Sequence, residues 1–250
     1  MNRLILFLYL GIALISCQRN LEQQLTIATA ANSEFAIKEI ARAFEKEVGI
    51  NCQLVSSSSG KLMAQIKEGA PYDVFISANM KYPLELHKEK LTVAKPEIYA
   101  YGKLVIWTMV EGLELGLDQL TSAEVKHIAI ANPILAPFGI AAMQMLKHNG
   151  LDLMLQDKFV YGESISQTNQ FIFSRTADLG FTAKSVVLSP HLAGKGSWQE
   201  VDQTTYEPIA QGAVVIKHDN KSSSPAQSFY DFLFSDIAKK ILIEYGYEVE

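Results

Sequence analysis

Four times along the chain, a short apolar run passes through a small polar turn into the start of an amphipathic helix. Residues 25–29 alternate as a strand, Ala30, Ala31, Asn32 and Ser33 turn, and Phe35, Ile37, Ile40, Ala41, Phe44 and Val48 mark a helix that stops at Gly49. Residues 52–55 lead through Ser56, Ser57, Ser58, Ser59, Gly60 and Lys61 into a helix bearing Leu62, Met63 and Ile66. Residues 127–131 lead through a proline-shaped turn, 132–139, into a helix with Ile140, Met143 and Leu146; residues 159–162 lead through Glu163, Ser164, Ile165 and Ser166 into one with Phe171 and Ile172. Strands alternating with helices predict an α/β fold with parallel strands. Parallel strands bring the helix N-termini to the carboxyl edge of a sheet, where open α/β folds bind ligands. The first amides of each helix lack intrahelical acceptors and carry the positive end of the helix dipole, so these turns are suited to an anion. Taken alone, each is equally a polar loop with a serine or asparagine cap.

The junctions divide two and two about a β-rich run at 101–108, whose length suits a strand passing from one lobe to another. A second β-rich run, 209–216, is placed to cross back. Two α/β lobes facing each other across a cleft are therefore expected: 25–102 in the first, 103–210 in the second, and 211–250 returning to the first. Ser224 as N-cap, Pro225 in the first turn and Gly246 past the end predict one closing helix with a stripe of Phe229, Phe232, Leu233, Ala238, Ile241 and Leu242.

A formal charge of −5 without a long basic run argues against a nucleic-acid partner. It also means that an anion would have to be held by local donors. At the N-terminus, Asn2 and Arg3 precede an apolar run, 4–15, that is too short to span a bilayer and suits a signal peptide over 1–16. The run closes on Leu14, Ile15, Ser16 and Cys17, which resembles a bacterial lipobox, so Cys17 is expected to carry a lipid and 17–24 to form a tether. Cys52 is then left without a partner and reads as a small buried apolar residue.

Ser58 and Lys61 form Ser-x-x-Lys, but the companion motifs of penicillin-recognising enzymes are missing from the sequence, as is a Gly-x-Ser-x-Gly elbow. His87, His127, His148, His191 and His218 lack metal-ligand spacing.

Taken together, several blocks resemble the periplasmic molybdate-binding proteins that feed ABC importers. They are Ala30-Ala31-Asn32, Ser58-Ser59-Gly60-Lys61-Leu62, the stretch 69–78, Gly102-Lys103-Leu104-Val105, Asn132-Pro133 with Ala136-Pro137-Phe138-Gly139, the stretch 162–167, and Leu179-Gly180-Phe181. The resemblance runs from about Leu25 to the C-terminus. It implies a two-lobed periplasmic binding protein fold of type II with a two-crossing hinge, and a molybdate or tungstate oxyanion held without direct metal ligands. By the same resemblance Asn32 takes the first-turn position, Ser59 gives a hydroxyl and an amide, Phe138 and Ile165 give backbone amides, and Ala31 gives a further amide. Some relatives place a tyrosine hydroxyl where this chain has Ala183. The resemblance further implies a monomer without cofactor or catalytic residues, a periplasmic location with a lipid anchor on the membrane, and an ABC permease as partner. The alternatives are a receptor for another small anion such as sulfate, and a lipid-anchored serine hydrolase.

Overall fold

The structure is a computed structural model that describes residues 24–219 and 222–250. The expected signal peptide, the lipidated Cys17 and all of the tether but Gln24 lie outside the described residues.

The first sheet contains β1 (Gln24–Ala30), β2 (Asn51–Ser57), β3 (Val74–Ser77), β4 (Glu97–Gly102) and β10 (Ile209–Val215), in the order β2-β1-β3-β10-β4. The second contains β5 (Leu104–Thr108), β6 (Ile128–Ala131), β7 (Phe159–Gly162), β8 (Leu179–Ala183) and β9 (Ser197–Glu200), in the order β7-β6-β8-β5-β9. In the first, β1 runs parallel to β2 and β3, while β10 is antiparallel to β3 and β4. The second repeats the plan: β6 is parallel to β7 and β8, and β5 is antiparallel to β8 and β9. The chain forms two α/β lobes. In each, the antiparallel strand next to the parallel three is supplied by the chain that has just crossed from the other lobe.

The helices are α1 (Glu34–Val48), α2 (Ser59–Lys67), α3 (Lys81–Lys88), α4 (Leu117–Thr121), α5 (Pro137–His148), α6 (Ile165–Phe173), α7 (Lys184–Val187), α8 (Ser224–Leu233) and α9 (Asp236–Glu244). The period of two along each strand decides which helix covers which face. Ile27, Val74 and Ile76 pack with Ile37, Ile40 and Phe44 of α1, whereas Ala28 and Phe75 face Leu62 of α2 and Leu86 of α3. Phe44 is fully buried and meets Phe229 edge-on, with ring centroids 5.3 Å apart. Burying such a ring contributes about 1.5–3 kcal/mol. In the second lobe, Ile128, Ile130 and Phe181 pack against Phe138 and Leu146 of α5, and Trp107 packs with Ile172 of α6 on the other face.

Four expectations change. The run 101–108 is two strands in different sheets, β4 and β5, broken at Lys103. The run 209–216 does not cross back; β10 lies wholly in the first sheet, and the return passes through 201–208. The closing helix is two: the first ends at Leu233 with Phe234 as its C-cap, and Ser235 caps the next by accepting from the Ala238 N–H at 3.3 Å. The apolar stripe runs on across that break and hides it. Cys52 is half-buried, and desolvation together with the charge of Glu45 pushes its thiol up to about 12.

Candidate functional site

The four junctions converge on one small cavity between the lobes. Its volume is about 10 Å³. Ala31 and Asn32 reach it from the turn before α1, Ser58 and Ser59 from the start of α2, Phe138 from the first turn of α5, and Ile165 from the first residue of α6. All five residues singled out in the sequence therefore line it, with Ser58 beside them.

What each can offer follows from accounting for its hydrogen bonds. The N–H of Ala31 already donates to Ser57 O at 2.9 Å, so Ala31 is a wall of the cavity and not the donor expected of it. The Asn32 side chain is also engaged: Nδ2 donates to Gln211 Oε1 at 3.0 Å and to the Tyr247 hydroxyl at 3.3 Å. Its carbonyl accepts from Ser185 Oγ at 2.7 Å. The backbone N–H is what Asn32 has left to give. The N–H groups of Asn32, Ser59, Phe138 and Ile165 find no acceptor among the described residues, as expected just before or within a first helical turn.

Two hydroxyls complete the set. Ser59 Oγ accepts from the Ala78 N–H at 2.9 Å, which leaves its own proton unused. Ser58 Oγ is buried and has no partner among the described residues, although Ser58 is the N-cap residue of α2. A buried hydroxyl without a partner costs about 1–3 kcal/mol, and Ser58 lines the cavity, where an acceptor would satisfy it. None of the residues lining the cavity carries an imidazole, carboxylate or amine. Lys61 is half-exposed and pairs with Glu163 across the lobes at 3.4 Å.

Close packing holds the junctions in place. A Cβ on Gly139 would fall 1.9 Å from Ala131 O, so only glycine lets α5 start this close to the end of β6. Behind Asn32 lies a buried network that sequence reading missed. Tyr99 donates to Gln211 Oε1 at 2.8 Å, and the Tyr247 hydroxyl lies 3.0 Å from Ser185 Oγ. Burial raises both phenols, Tyr247 to about 12, so both stay protonated. The one readable hint was Gln211, a polar residue inside an apolar strand. Ala183 is buried and does not reach the cavity.

Residues 25–248 match the family model described as bacterial extracellular solute-binding protein. The chain belongs to that family. It is 37% identical to the molybdate-binding protein ModA of Azotobacter vinelandii over 96% of each chain. It is 35% identical to ModA of Rhodobacter capsulatus, over 89% of this chain and 87% of the relative. The solved periplasmic molybdate-binding protein of Azotobacter vinelandii superposes with a TM-score of 0.85 at 34% identity, over 90% of this chain and 99% of that one. The solved relative shares the two-lobed architecture, and the family is one of extracellular solute-binding proteins.

Proposed function

We propose that the protein captures molybdate, and its near-isostere tungstate, outside the cytoplasm and delivers it to the permease of an ABC importer. The observation that carries this reading is the unpartnered Ser58 hydroxyl, together with the Ser59 hydroxyl and four helix-start amides on one small cavity. The molybdate-binding relatives supply the identity of the anion.

The ligand is held by Asn32, Ser59, Phe138 and Ile165, with Ser58 added and Ala31 serving as wall. Six neutral donors at about 1.5–3 kcal/mol each to a charged acceptor give about 9–18 kcal/mol before the cost of association. A micromolar complex needs about 8 kcal/mol, so submicromolar affinity is within reach. A donor-only cage favours a fully deprotonated tetrahedral dianion, because a protonated phosphate would find no acceptor for its proton. Sulfate has the right charge and shape, and cavity size is what separates it from the larger oxyanions. Donors come from both lobes, so they surround one ion only when the cleft is shut. Binding then drives closure about the two crossings, and the closed form is what a permease reads.

A serine hydrolase is disfavoured because no side chain lining the cavity can take a proton from Ser58 or Ser59. The signal peptide and the lipid on Cys17 belong to the same reading and rest on the sequence; the lobe boundary expected at 210 moves before Ile209, because β10 lies in the first sheet. Calorimetric titration with molybdate, tungstate, sulfate and phosphate tests it. Submicromolar binding of the first two, with sulfate at least a hundredfold weaker, is the expected result; equal binding of sulfate overturns it.

A further inference from the structure

Beyond the anion cage, the two lobes touch at its outer edge through contacts that use no ligand. The Gly60 N–H of α2 donates to Leu135 O of the second lobe at 3.0 Å. The Tyr82 hydroxyl of α3 donates to the neighbouring carbonyl, Ile134 O, at 3.3 Å. Both acceptors sit in the turn between β6 and α5. Asn132 folds that turn: its Oδ1 accepts from the Ile134 N–H at 2.9 Å, and its carbonyl accepts from the N–H of Leu135 and of Ala136 at 3.0 and 2.8 Å. So folded, the turn presents two consecutive carbonyls to the first lobe.

We propose that Tyr82 and Gly60 form a clasp on this turn and set how long the ligand is retained. The proposal rests on the oxyanion reading and adds residues outside the cage. Its position carries it: Gly60 directly follows Ser59, and Leu135 directly precedes Ala136, so the clasp joins the two walls of the cavity one residue beyond the ligand. Space carries it further. A Cβ on Gly60 would lie 3.1 Å from Leu135 O, 3.1 Å from the Tyr82 hydroxyl and 3.2 Å from Leu135 Cα. The approach is tight: a methyl group there would require Leu135 of the second lobe or the Tyr82 hydroxyl to give by a few tenths of an ångström.

Tyr82 is buried by its own lobe, against Leu62 and Leu86, so its ring is held whether or not the second lobe is near. Only its hydroxyl reaches across. Tyr82 and Gly60 are thus positioning residues, acting on the ligand through the closed state. They stabilise closure after the anion has entered, and affinity differences of this kind fall mainly in the dissociation rate.

The test is release of molybdate from the preloaded full chain, chased with excess tungstate, for wild type, Tyr82→Phe and Gly60→Ala. Tyr82→Phe is expected to release about fivefold faster and Gly60→Ala at least tenfold faster. Association rates should stay within twofold, and the ligand-free melting temperature of Tyr82→Phe should be unchanged. Unchanged release in both variants, with normal wild-type binding, overturns the clasp alone. A lowered ligand-free melting temperature that accounts for the faster release makes Tyr82 merely structural and also overturns it. Failure of the wild type to bind molybdate overturns the oxyanion reading, and the clasp with it.

Discussion

The two lobes are built to one plan but arm the cavity differently. The first brings hydroxyl-bearing residues, Ser58 and Ser59, and the amide of Asn32; the second brings Phe138 and Ile165, whose side chains are buried and apolar and whose contribution is backbone N–H alone. A side-chain donor can be removed by truncation. A backbone donor survives every substitution but one. The two halves of the cage should therefore answer to different mutations, and the contrast can be broken position by position.

The largest effect is expected from Ile165→Pro. Ile165 is the first residue of α6, where proline is tolerated, and Ser164 before it is already extended at φ −148°, ψ 169° as a residue preceding proline must be. The helix survives while one donor to the dianion is lost and proline's ring replaces it. Molybdate affinity should fall about a hundredfold, while Ile165→Ala should change it less than about threefold, both read by calorimetry. Similar losses in the two variants would show that the side chain and not the amide matters, and the contrast between lobes would fail.

Ser59→Ala comes next. It should weaken molybdate binding by more than tenfold, but it is not a clean probe. The Ser59 hydroxyl also accepts from the buried Ala78 N–H, and leaving that donor without a partner costs about 1–3 kcal/mol of stability. A lower melting temperature without ligand should accompany the loss of affinity. Ser58→Ala separates the two effects. Its hydroxyl has no partner among the described residues, so truncation should weaken binding about fivefold to tenfold and leave the ligand-free melting temperature equal or slightly higher. Binding that is unaffected by Ser58→Ala would remove Ser58 from the cage.

How far the sequence reveals this site depends on the range of the interactions that build it. The junctions are local: a switch from period two to period 3.6 across a turn of Ser, Asn, Gly or Pro can be read within a dozen residues. That is why the sequence brings out Asn32, Ser59, Phe138 and Ile165, which the structure gathers on one cavity. The state of each donor is not local. Ala31 lost its amide to Ser57 of the neighbouring strand, and Asn32 lost its side chain to Gln211 and Tyr247, far along the chain. Gln211 reaches Asn32 because β10 joins the first sheet, and Tyr247 because the C-terminal segment folds back to bridge Tyr101 at Glu248. The break at Ser235 was hidden for a different reason. An apolar stripe continues through both helices, because both pack on the same core around Phe44 and Leu242. Periodicity reports the face that is buried, not the continuity of the backbone.

The smallest effect concerns pH, and it sharpens the same contrast between the cage and what supports it. The residues lining the cavity carry no imidazole, carboxylate or amine, so molybdate affinity should be flat from about pH 6 to 9, apart from any protonation of the ion itself. The supporting network behind Asn32 does titrate, at the alkaline end. Burial raises the Tyr247 phenol from 10.0 to about 12, and raises Tyr99 in the same direction. Between those values the unfolded chain loses the Tyr247 proton while the folded chain keeps it. The stability it contributes is thus complete below about pH 10 and is lost as pH rises toward 12. Tyr247→Phe should flatten that decline in melting temperature between pH 9.5 and 11. At neutral pH it should weaken molybdate binding only a few-fold, because the hydroxyl bonds Asn32 and Tyr247 is not among the residues lining the cavity. An alkaline decline as steep in the variant as in the wild type would place the titrating group elsewhere in the molecule.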